Sequence, residues 1–237
     1  MDVVVWGVIG ALTVALLAAG VLDVVRGARR RRHRLADDIV DVRAEPRHLV
    51  LVRHGQTEWS ETGQHTSRTD IPLTEEGRRQ AEAIREQLDG WVFDAVFVSP
   101  MARARDTLER LARAEPVRVL DDLREWDYGR DEGMTTVEIR RARPGWVVWD
   151  GPAGGETIDQ VAARARRVIH EADGDVLIVG HGHLLRVLAA CWLGLDPRDG
   201  RFLALDPASI SVLGHERDQR VLERWNLSPP APADGER

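Results

Sequence analysis

The sequence predicts an α/β protein with a mostly parallel central sheet and helices on both of its faces, a three-layer arrangement. Short apolar runs, typical of buried strands, alternate with segments of helical periodicity throughout residues 47–227. In the clearest helical segment, residues 156–172, apolar side chains recur every three or four positions, at Ile158, Val161, Ala165 and Val168. Such alternation is typical of units in which helices cover a parallel sheet.

The elements of one domain, residues 47–227, follow in order. Strands are predicted at residues 48–53, 94–98, 117–120, 175–179, 210–213 and 220–225. Helices are predicted at residues 73–88, 100–113, 156–172 and 183–192. Thr74 is the predicted N-cap of the first helix, because a threonine hydroxyl accepts hydrogen bonds from the free N–H groups at a helix start.

Composition and charge exclude several classes of protein. Apolar residues make up 43% and charged residues 30% of the 237 positions, which excludes a wholly disordered or collagen-like chain. The single cysteine excludes a disulfide framework and a cysteine-based zinc cluster. All 33 basic residues are arginine, and of the net charge of −6, residues 1–45 contribute +1 and residues 46–237 contribute −7. Because an acidic domain repels the nucleic-acid backbone, no nucleic-acid partner is expected.

The N-terminal segment predicts a membrane anchor. Residues 3–22 contain no charged side chain, and twenty helical residues span about 30 Å, the thickness of a bilayer core. We therefore expect a transmembrane helix at residues 1–25, a basic juxtamembrane segment and linker at 26–46, and a disordered tail at 228–237. The arginines after the helix predict a single-pass protein whose domain is cytoplasmic. The alternative is a cleaved signal peptide, although the basic residues lie on the wrong flank for one.

Polar residues follow three of the predicted strands. Arg53 and His54 end the first strand, the segment from Ser99 to Arg103 follows the second, and His181 follows a later one. Ligands of parallel sheets bind beyond the carboxyl ends of the strands, so these residues should meet on one rim. Two histidines and two arginines predict an anion site, since the planar guanidinium matches phosphate oxygens. A metal held by the two histidines is the alternative, but it lacks nearby carboxylate or cysteine ligands, and the arginines would repel a cation.

Six short motifs occur in order along the domain. They are Leu51-Val52-Arg53-His54-Gly55-Gln56-Thr57-Glu58-Trp59, Asp70-Ile71-Pro72-Leu73-Thr74 with Gly77, Ser99-Pro100-Met101-Ala102-Arg103-Ala104, Leu123-Arg124-Glu125-Trp126-Asp127-Tyr128-Gly129 with Glu132-Gly133, Gly154-Gly155-Glu156-Thr157, and Val179-Gly180-His181-Gly182. Together they resemble the histidine phosphatase superfamily, which has the phosphoglycerate-mutase-like fold. Each motif alone is weak, whereas six in order are specific, and the likeness covers about residues 47–225.

The resemblance implies a two-step phosphoryl transfer that needs no metal and no cofactor. His54 would attack phosphorus and become a phosphohistidine, while Glu125 would protonate the leaving oxygen and then act as base toward water. The phosphoryl oxygens would be bound by Arg53, Arg103 and a cationic His181. The implied substrate contacts are Thr57, Thr66, Gly182 and His183. For both threonines, hydrogen bonding within the loop is an equal interpretation.

The subgroup follows from the segments around the site. Gly63-Gln64-His65-Thr66 and Pro144-Gly145-Trp146 resemble the acid-phosphatase branch, whereas mutases of the family hold a second phosphate with additional basic residues that this chain lacks. We therefore expect a phosphomonoesterase acting on a phosphorylated small molecule. The alternatives are a mutase-type phosphotransferase and a catalytically silent phosphate-binding module. Two residues depart from the family pattern: Ser67 replaces a usual glycine, and His183 stands where mutases carry asparagine.

Overall fold

A computed structural model describes residues 46–228 of the chain. The strands of this part are β1 (His48–Arg53), β2 (Ala95–Val98), β3 (Val117–Val119), β4 (Asp175–Gly180), β5 (Ile210–Glu216) and β6 (Gln219–Leu227). The helices are α1 (Glu58–Thr62), α2 (Glu75–Ala83), α3 (Ala102–Leu111), α4 (Thr136–Ala142), α5 (Ile158–Glu171) and α6 (Gly182–Trp192). Short 3-10 turns occur at Arg85–Leu88, Asp121–Leu123, Gly129–Asp131, Val148–Asp150 and Pro197–Phe202.

The strands form one six-stranded sheet in the order β3-β2-β4-β1-β5-β6. The first four strands of that order run parallel, while β5 pairs antiparallel with both β1 and β6. The antiparallel end follows from the connection, because only the two residues Arg217 and Asp218 separate β5 from β6, and so short a turn can join only antiparallel strands. The predicted α/β fold with a mostly parallel sheet is confirmed.

Apolar cores lie on both faces of the sheet. Along β1, Leu49 and Leu51 point into one core, which also contains the buried faces of α5 and α6. Val50 and Val52 point into a second core, which contains buried side chains of α3 and of the turn after α2. The alternation is the two-residue period of a strand, and it explains why β1 is apolar at four successive positions. Burial on both faces holds the carboxyl end of β1 rigidly in place.

Threonine caps start most of the helices. Thr74 accepts a hydrogen bond from the amide of Gly77 at 3.0 Å, so the predicted N-cap is confirmed. The predicted helix 73–88 is shorter than expected, since α2 ends at Ala83 and a 3-10 turn continues the segment. Helices α1 and α4 were not predicted, because five and seven residues are too few to show helical periodicity. Their signal is local: Thr57 and Thr135 each form a capping box.

The prediction of a single-pass membrane protein is not upheld by the structure. Within residues 46–228 no helix is long and apolar enough to cross a membrane. The expected anchor at residues 1–25 and most of the expected linker at 26–46 lie outside the described residues. The same holds for all but the first residue of the tail expected at 228–237.

Candidate active site

The three segments predicted to converge lie side by side at the carboxyl ends of β1, β4 and β2. The amide of His54 donates to the carbonyl of Gly180 at 3.0 Å, which joins the segments after β1 and β4. The amide of Ser99 donates to the carbonyl of Val179 at 3.1 Å, which joins β2 to the same place. The rim therefore follows from the register of neighbouring parallel strands.

His54 is held in one tautomer. Its ring is 6% exposed, and Nδ1 lies 2.7 Å from the carbonyl oxygen of Gly55. Because a carbonyl can only accept, Nδ1 carries the proton and the lone pair is on Nε2. Burial, followed by the charges of Arg103 and Arg53, lowers the pKa of His54 well below its usual value. At neutral pH the ring is therefore uncharged, with Nε2 available as a nucleophile.

Arg53 supplies donors that the protein does not use. One terminal nitrogen, Nη1, donates to the carbonyl of Leu205, whereas the buried Nε has no hydrogen-bond partner in the part of the chain that the structure describes. The guanidinium lies against Gly182 at the start of α6, where an added Cβ would be 3.4 Å from its central carbon. Burial lowers the pKa of Arg53, but a guanidinium stays protonated in proteins. A guanidinium whose Nε is unpaired, placed beside a helix N-terminus, has the charge and the free donor that an anion site requires.

Arg103 and His181 lie beneath the nucleophile, both fully buried. Arg103 Nε donates to His181 Nδ1 at 3.3 Å, so the imidazole proton is on Nε2, which donates to Ser99 Oγ at 2.7 Å. The rings of His54 and His181 are 5.2 Å apart in an edge-on arrangement. Burial, followed by the charge of Arg103, lowers the pKa of His181 well below its usual value. The donor at Nδ1 and the lowered pKa both favour a neutral His181, whereas the sequence analysis expects a cationic His181 beside a phosphoryl group, and that expectation stays a prediction.

Glu125 is fixed by backbone amides. One carboxyl oxygen, Oε1, accepts from the amides of Trp126 and Leu184, each at 2.9 Å. The other, Oε2, accepts from the amide of His183 at 3.0 Å and has no second donor within residues 46–228. Two of these donors belong to the first turn of α6, where free N–H groups and the helix dipole attract a carboxyl group. The sparsely bonded Oε2 is the oxygen with room for a proton.

These groups line one cavity of about 170 Å³. Its wall consists of Arg53, His54, Thr57, Ser60, Gly63, Gln64, His65, Thr66, Glu125, Tyr128, Gly182, His183, Arg186 and Leu205. Of the nine predicted site residues, seven are on this wall. The two exceptions are Arg103 and His181, which form the layer behind it.

Both predicted threonines lie on the cavity wall and also have local hydrogen bonds. Thr57 Oγ1 accepts from the amide of Ser60 at 3.2 Å as the cap of α1, and within residues 46–228 no acceptor for its own hydroxyl proton is present. Thr66 Oγ1 lies 3.2 Å from the carbonyl of Gln64. The two interpretations offered by the sequence are therefore compatible.

The far end of the cavity is formed by side chains that contact each other. Tyr128 Oη lies 2.7 Å from Nδ1 of His183, and the rings of His65 and His183 are 6.1 Å apart. Burial raises the pKa of Tyr128 and lowers that of His183, each by a wide margin, so both are neutral. Arg186 on α6 donates to the carbonyls of Gly200 and Arg201, each at 3.0 Å. We refer to these four cavity side chains, His65, Tyr128, His183 and Arg186, as the distal wall.

Arg186 was missed by the sequence analysis, although a signal was present. It lies four residues after Gly182 on one helix, and residues four apart face the same side. Leu205 had no comparable signal, because a loop that follows the last 3-10 turn brings it to the cavity.

Ser67 links the substrate-side loop to the rest of the site. Its amide donates to Glu132 at 2.9 Å, its hydroxyl also hydrogen-bonds that carboxylate, and its Oγ accepts from the amide of Tyr128 at 3.3 Å. Arg103 donates to the carbonyls of Ser67 and Thr69, at 3.2 and 3.1 Å. A serine in place of the usual glycine thus has a bonding role of its own.

Two glycines allow the nucleophile loop to rest on α2. A Cβ added to Gly55 would lie 2.2 Å from the carbonyl oxygen of Gly77, and one added to Gly77 would lie 2.1 Å from that of Gln56. Real Cβ atoms essentially never approach an atom so closely. This contact explains the glycines of the first two motifs.

As for metals, no group of three His, Cys, Asp or Glu side chains within residues 46–228 is placed to hold an ion.

The fold and the cavity at its rim, which Arg53 and His54 line, are consistent with the enzymes that act on phosphate groups. A family model described as histidine phosphatase superfamily (branch 1) matches residues 49–228, about three quarters of the chain. The chain therefore belongs to the histidine phosphatase superfamily, and it is a hydrolase of the phosphatase type.

Three similar proteins illustrate the relationship. An acid phosphatase of Mycobacterium tuberculosis is 40% identical over 188 residues, which cover 76% of this chain and 92% of that protein. A sedoheptulose 1,7-bisphosphatase of Saccharomyces cerevisiae is 38% identical over 182 residues, which cover 62% and 67%. The solved structure of an open reading frame product from Mycobacterium tuberculosis superimposes with a TM-score of 0.72 at 38% identity, covering 77% of this chain and 98% of that one.

Proposed function

We propose that the protein is a phosphomonoesterase that works through a phosphohistidine on His54 and requires no metal ion. The observation that supports this most directly is the state of His54 itself. Its Nδ1–H donates to the carbonyl of Gly55, so its Nε2 has a free lone pair. The Arg53 side chain, whose Nε is unpaired, lies on the same cavity wall. A neutral imidazole beside cationic donors suits attack on a phosphate ester and stabilisation of the developing negative charge.

The reaction has two steps that share one proton carrier. In the first, His54 Nε2 bonds to phosphorus, the ester P–O bond breaks, and the leaving oxygen takes a proton from Glu125 Oε2. In the second, water attacks phosphorus, Glu125 accepts a water proton, and the P–N bond breaks to release phosphate and neutral His54. Glu125 returns to its protonated state, so a turnover balances.

Arg103 and His181 have supporting roles in this mechanism. Most of the Arg103 donors are already used by three loop carbonyls and His181, so its contribution is positive charge behind the phosphoryl group. His181 Nε2 donates a hydrogen bond to Ser99, and this bond fixes the orientation of the His181 ring behind His54. Thr57 and Gly182 supply a hydroxyl and a helix-terminal amide to the phosphoryl oxygens.

The distal wall favours a phosphatase over a mutase. A mutase must bind a second phosphate, which needs several cationic groups there. Arg186 is the one arginine of the distal wall, and it already donates to two carbonyls. Similar proteins named acid phosphatase and sedoheptulose 1,7-bisphosphatase indicate a phosphorylated small molecule as substrate. A catalytically silent role has no support in the site, since nucleophile, acid and anion donors are all present.

The test is hydrolysis of p-nitrophenyl phosphate by the full chain in the presence of EDTA. We expect activity in wild type and a loss of about 10⁴-fold in His54→Asn. The matched control is His170→Asn, an exposed histidine on α5, which should retain full activity. Denatured wild type quenched during turnover should carry phosphate that is stable to alkali and labile to acid, as a phosphoramidate is. Activity in His54→Asn, or activity that disappears with EDTA, would overturn the proposal.

A further inference from the structure

The segment that carries Glu125 is held from two opposite sides. On the cavity side, amides of α6 bind the Glu125 carboxyl group, as described above. On the other side, an ion pair between Arg164 of α5 and Glu156 binds the backbone of residues 122–127. Neither Arg164 nor Glu156 lines the substrate cavity.

Arg164 binds three carbonyls of this segment. Its Nη1 donates to the carbonyls of Asp122 at 2.7 Å and Arg124 at 2.8 Å, and its Nη2 lies 3.5 Å from that of Glu125 itself. The side chain is 12% exposed and extends from the middle of α5, whose other face is buried in the core. Arg164 therefore ties the backbone of the segment to a helix that is itself fixed in the core.

Glu156 completes the clamp. It accepts from Arg164 Nε at 2.8 Å and Nη2 at 2.7 Å, the two-pronged geometry that only arginine provides. The same carboxylate accepts from the amide of Asp127 at 3.0 Å, and the Glu156 carbonyl accepts from the Trp126 indole at 2.9 Å. The residues immediately before and after Glu125 are thus tied to one ion pair.

Packing supports only part of this segment. Leu123 and Trp126 are fully buried in the core, which anchors these two positions. The other side of the segment borders a second cavity of about 270 Å³, and Glu125, Asp127, Glu156 and Arg164 are among the residues that line it. Side chains are not close-packed on that side, so the hydrogen bonds of the ion pair set the position of Glu125 there.

We propose that Arg164, acting through Glu156, is a positioning residue for the general acid. The proposal rests on the proposed role of Glu125 and adds the group that sets its distance from the leaving oxygen. Proton transfer is steeply sensitive to such distances, and a displacement of about 1 Å can cost ~10²-fold in rate. Loss of Arg164 should therefore slow the reactions that need the acid and leave the others nearly unchanged.

The experiment compares two substrates by kcat/KM, which reports the steps up to departure of the leaving group. p-Nitrophenolate leaves without protonation, whereas the alkoxide of glycerol 2-phosphate requires it. Glu125→Gln, the reference variant, should lose about 10³-fold on glycerol 2-phosphate and under about tenfold on p-nitrophenyl phosphate. Arg164→Met should lose about 30-fold on glycerol 2-phosphate and under about threefold on p-nitrophenyl phosphate. Arg164→Lys, which keeps the charge but not the fork, should fall between wild type and Arg164→Met.

The matched control is Arg167→Met, one turn from Arg164 on the same helix. Arg167 binds the carboxylate of Asp122 at 2.7 and 2.8 Å but no backbone carbonyl of the described residues, and its side chain is 59% exposed. It should behave as wild type on both substrates. Equal losses on both substrates in Arg164→Met and Arg164→Lys would overturn the proposal, because a merely structural residue affects them alike. No substrate dependence in Glu125→Gln would instead overturn the proposed role of Glu125. If Arg164→Met does not fold, the same ratio measured in Arg164→Lys decides the question.

Discussion

The two ends of the cavity are built in different ways. At the phosphoryl end, Arg53 and His54 lie at the carboxyl end of the central strand β1. Their side chains donate to backbone carbonyls, Arg53 to that of Leu205 and His54 to that of Gly55. At the distal wall, Tyr128 and His183 contact each other through side chains. Groups positioned by strand register shift when a residue is inserted or deleted in the chain. A pair of side chains in contact, by contrast, can be changed by single substitutions. The comparison indicates that the sheet fixes the position of the groups proposed for phosphoryl transfer, and we expect the distal wall to set the choice of substrate.

The largest expected effect separates the two arginines of the cavity. Arg53→Leu removes the unpaired donors at the phosphoryl end, so kcat/KM for p-nitrophenyl phosphate should fall about 10³-fold. Arg186→Leu is the matched change at the distal wall and should cost under about tenfold on this substrate, which has no group for that wall. Steady-state kinetics at a temperature where both variants are folded measure the difference. Equal losses would mean that the two ends do not have separate tasks.

The next effect concerns the backbone contact below the nucleophile. Gly55→Ala places a Cβ 2.2 Å from the Gly77 carbonyl oxygen, and we expect a loss of about 3 kcal/mol in the free energy of unfolding. Gly90→Ala is a control at a position with a left-handed φ of +84° and no atom within 4 Å, and should cost about 1 kcal/mol. Urea denaturation measures both. A Gly55→Ala protein as stable as Gly90→Ala would contradict the close approach.

Acid stability gives a smaller and separable effect. The pKa values of His54, His181 and His183 are lowered well below 6.5 in the folded protein, chiefly by burial. The unfolded chain therefore binds these protons first, so stability is complete above about pH 6.5 and falls as the pH decreases below it.

The contribution of His183 to this pH dependence can be removed by a substitution that changes no side chain at the phosphoryl end. His183→Asn should reduce the pH dependence of the unfolding free energy by up to about 1.4 kcal/mol per pH unit below pH 6.5. The exposed His170→Asn serves as control and should leave the slope unchanged. Urea midpoints between about pH 7.5 and pH 5 provide the measurement. An unaltered slope in His183→Asn would show that this ring is not held neutral by the fold.

The smallest effect belongs to Tyr128→Phe. The substitution deletes the hydrogen bond to His183 Nδ1 and should cost about 1 kcal/mol of stability. Hydrolysis of p-nitrophenyl phosphate should stay within about threefold of wild type, whereas the ranking of sugar phosphate substrates should change. An unchanged ranking across a substrate panel would remove Tyr128 from the specificity-determining wall.

Most of the phosphoryl end was predictable from the sequence. His54 and Arg53 come at a strand end, and the strand's apolar run identifies that end. Which neighbour faces the cavity was not predictable, because it depends on burial: Arg103 and His181 are in the correct segments but lie behind the wall. That burial and the charge of Arg103 lower the pKa of His181, and the motifs name both residues but do not show that they are buried together.

The distal wall was predicted less well, for a physical reason. His65 and Tyr128 come from loops, where hydrophobic periodicity gives no orientation, whereas His183 and Arg186 belong to α6. His183 adjoins a motif and Tyr128 lies within one, whereas Arg186 was missed although it follows His183 by three residues on α6. Predictions from sequence were therefore best where backbone hydrogen bonds determine position.

The contact between Gly55 and Gly77 has a consequence for how this family of sequences can vary. Most tight packing can be relieved by a second substitution, in which one partner shrinks as the other grows. Here a Cβ on Gly55 would meet the backbone of Gly77, a Cβ on Gly77 would meet the backbone of Gln56, and no residue is smaller than glycine. No second substitution can relieve the clash at either site, so neither glycine can be replaced by single successive mutations. Diversification of this enzyme must proceed through other positions.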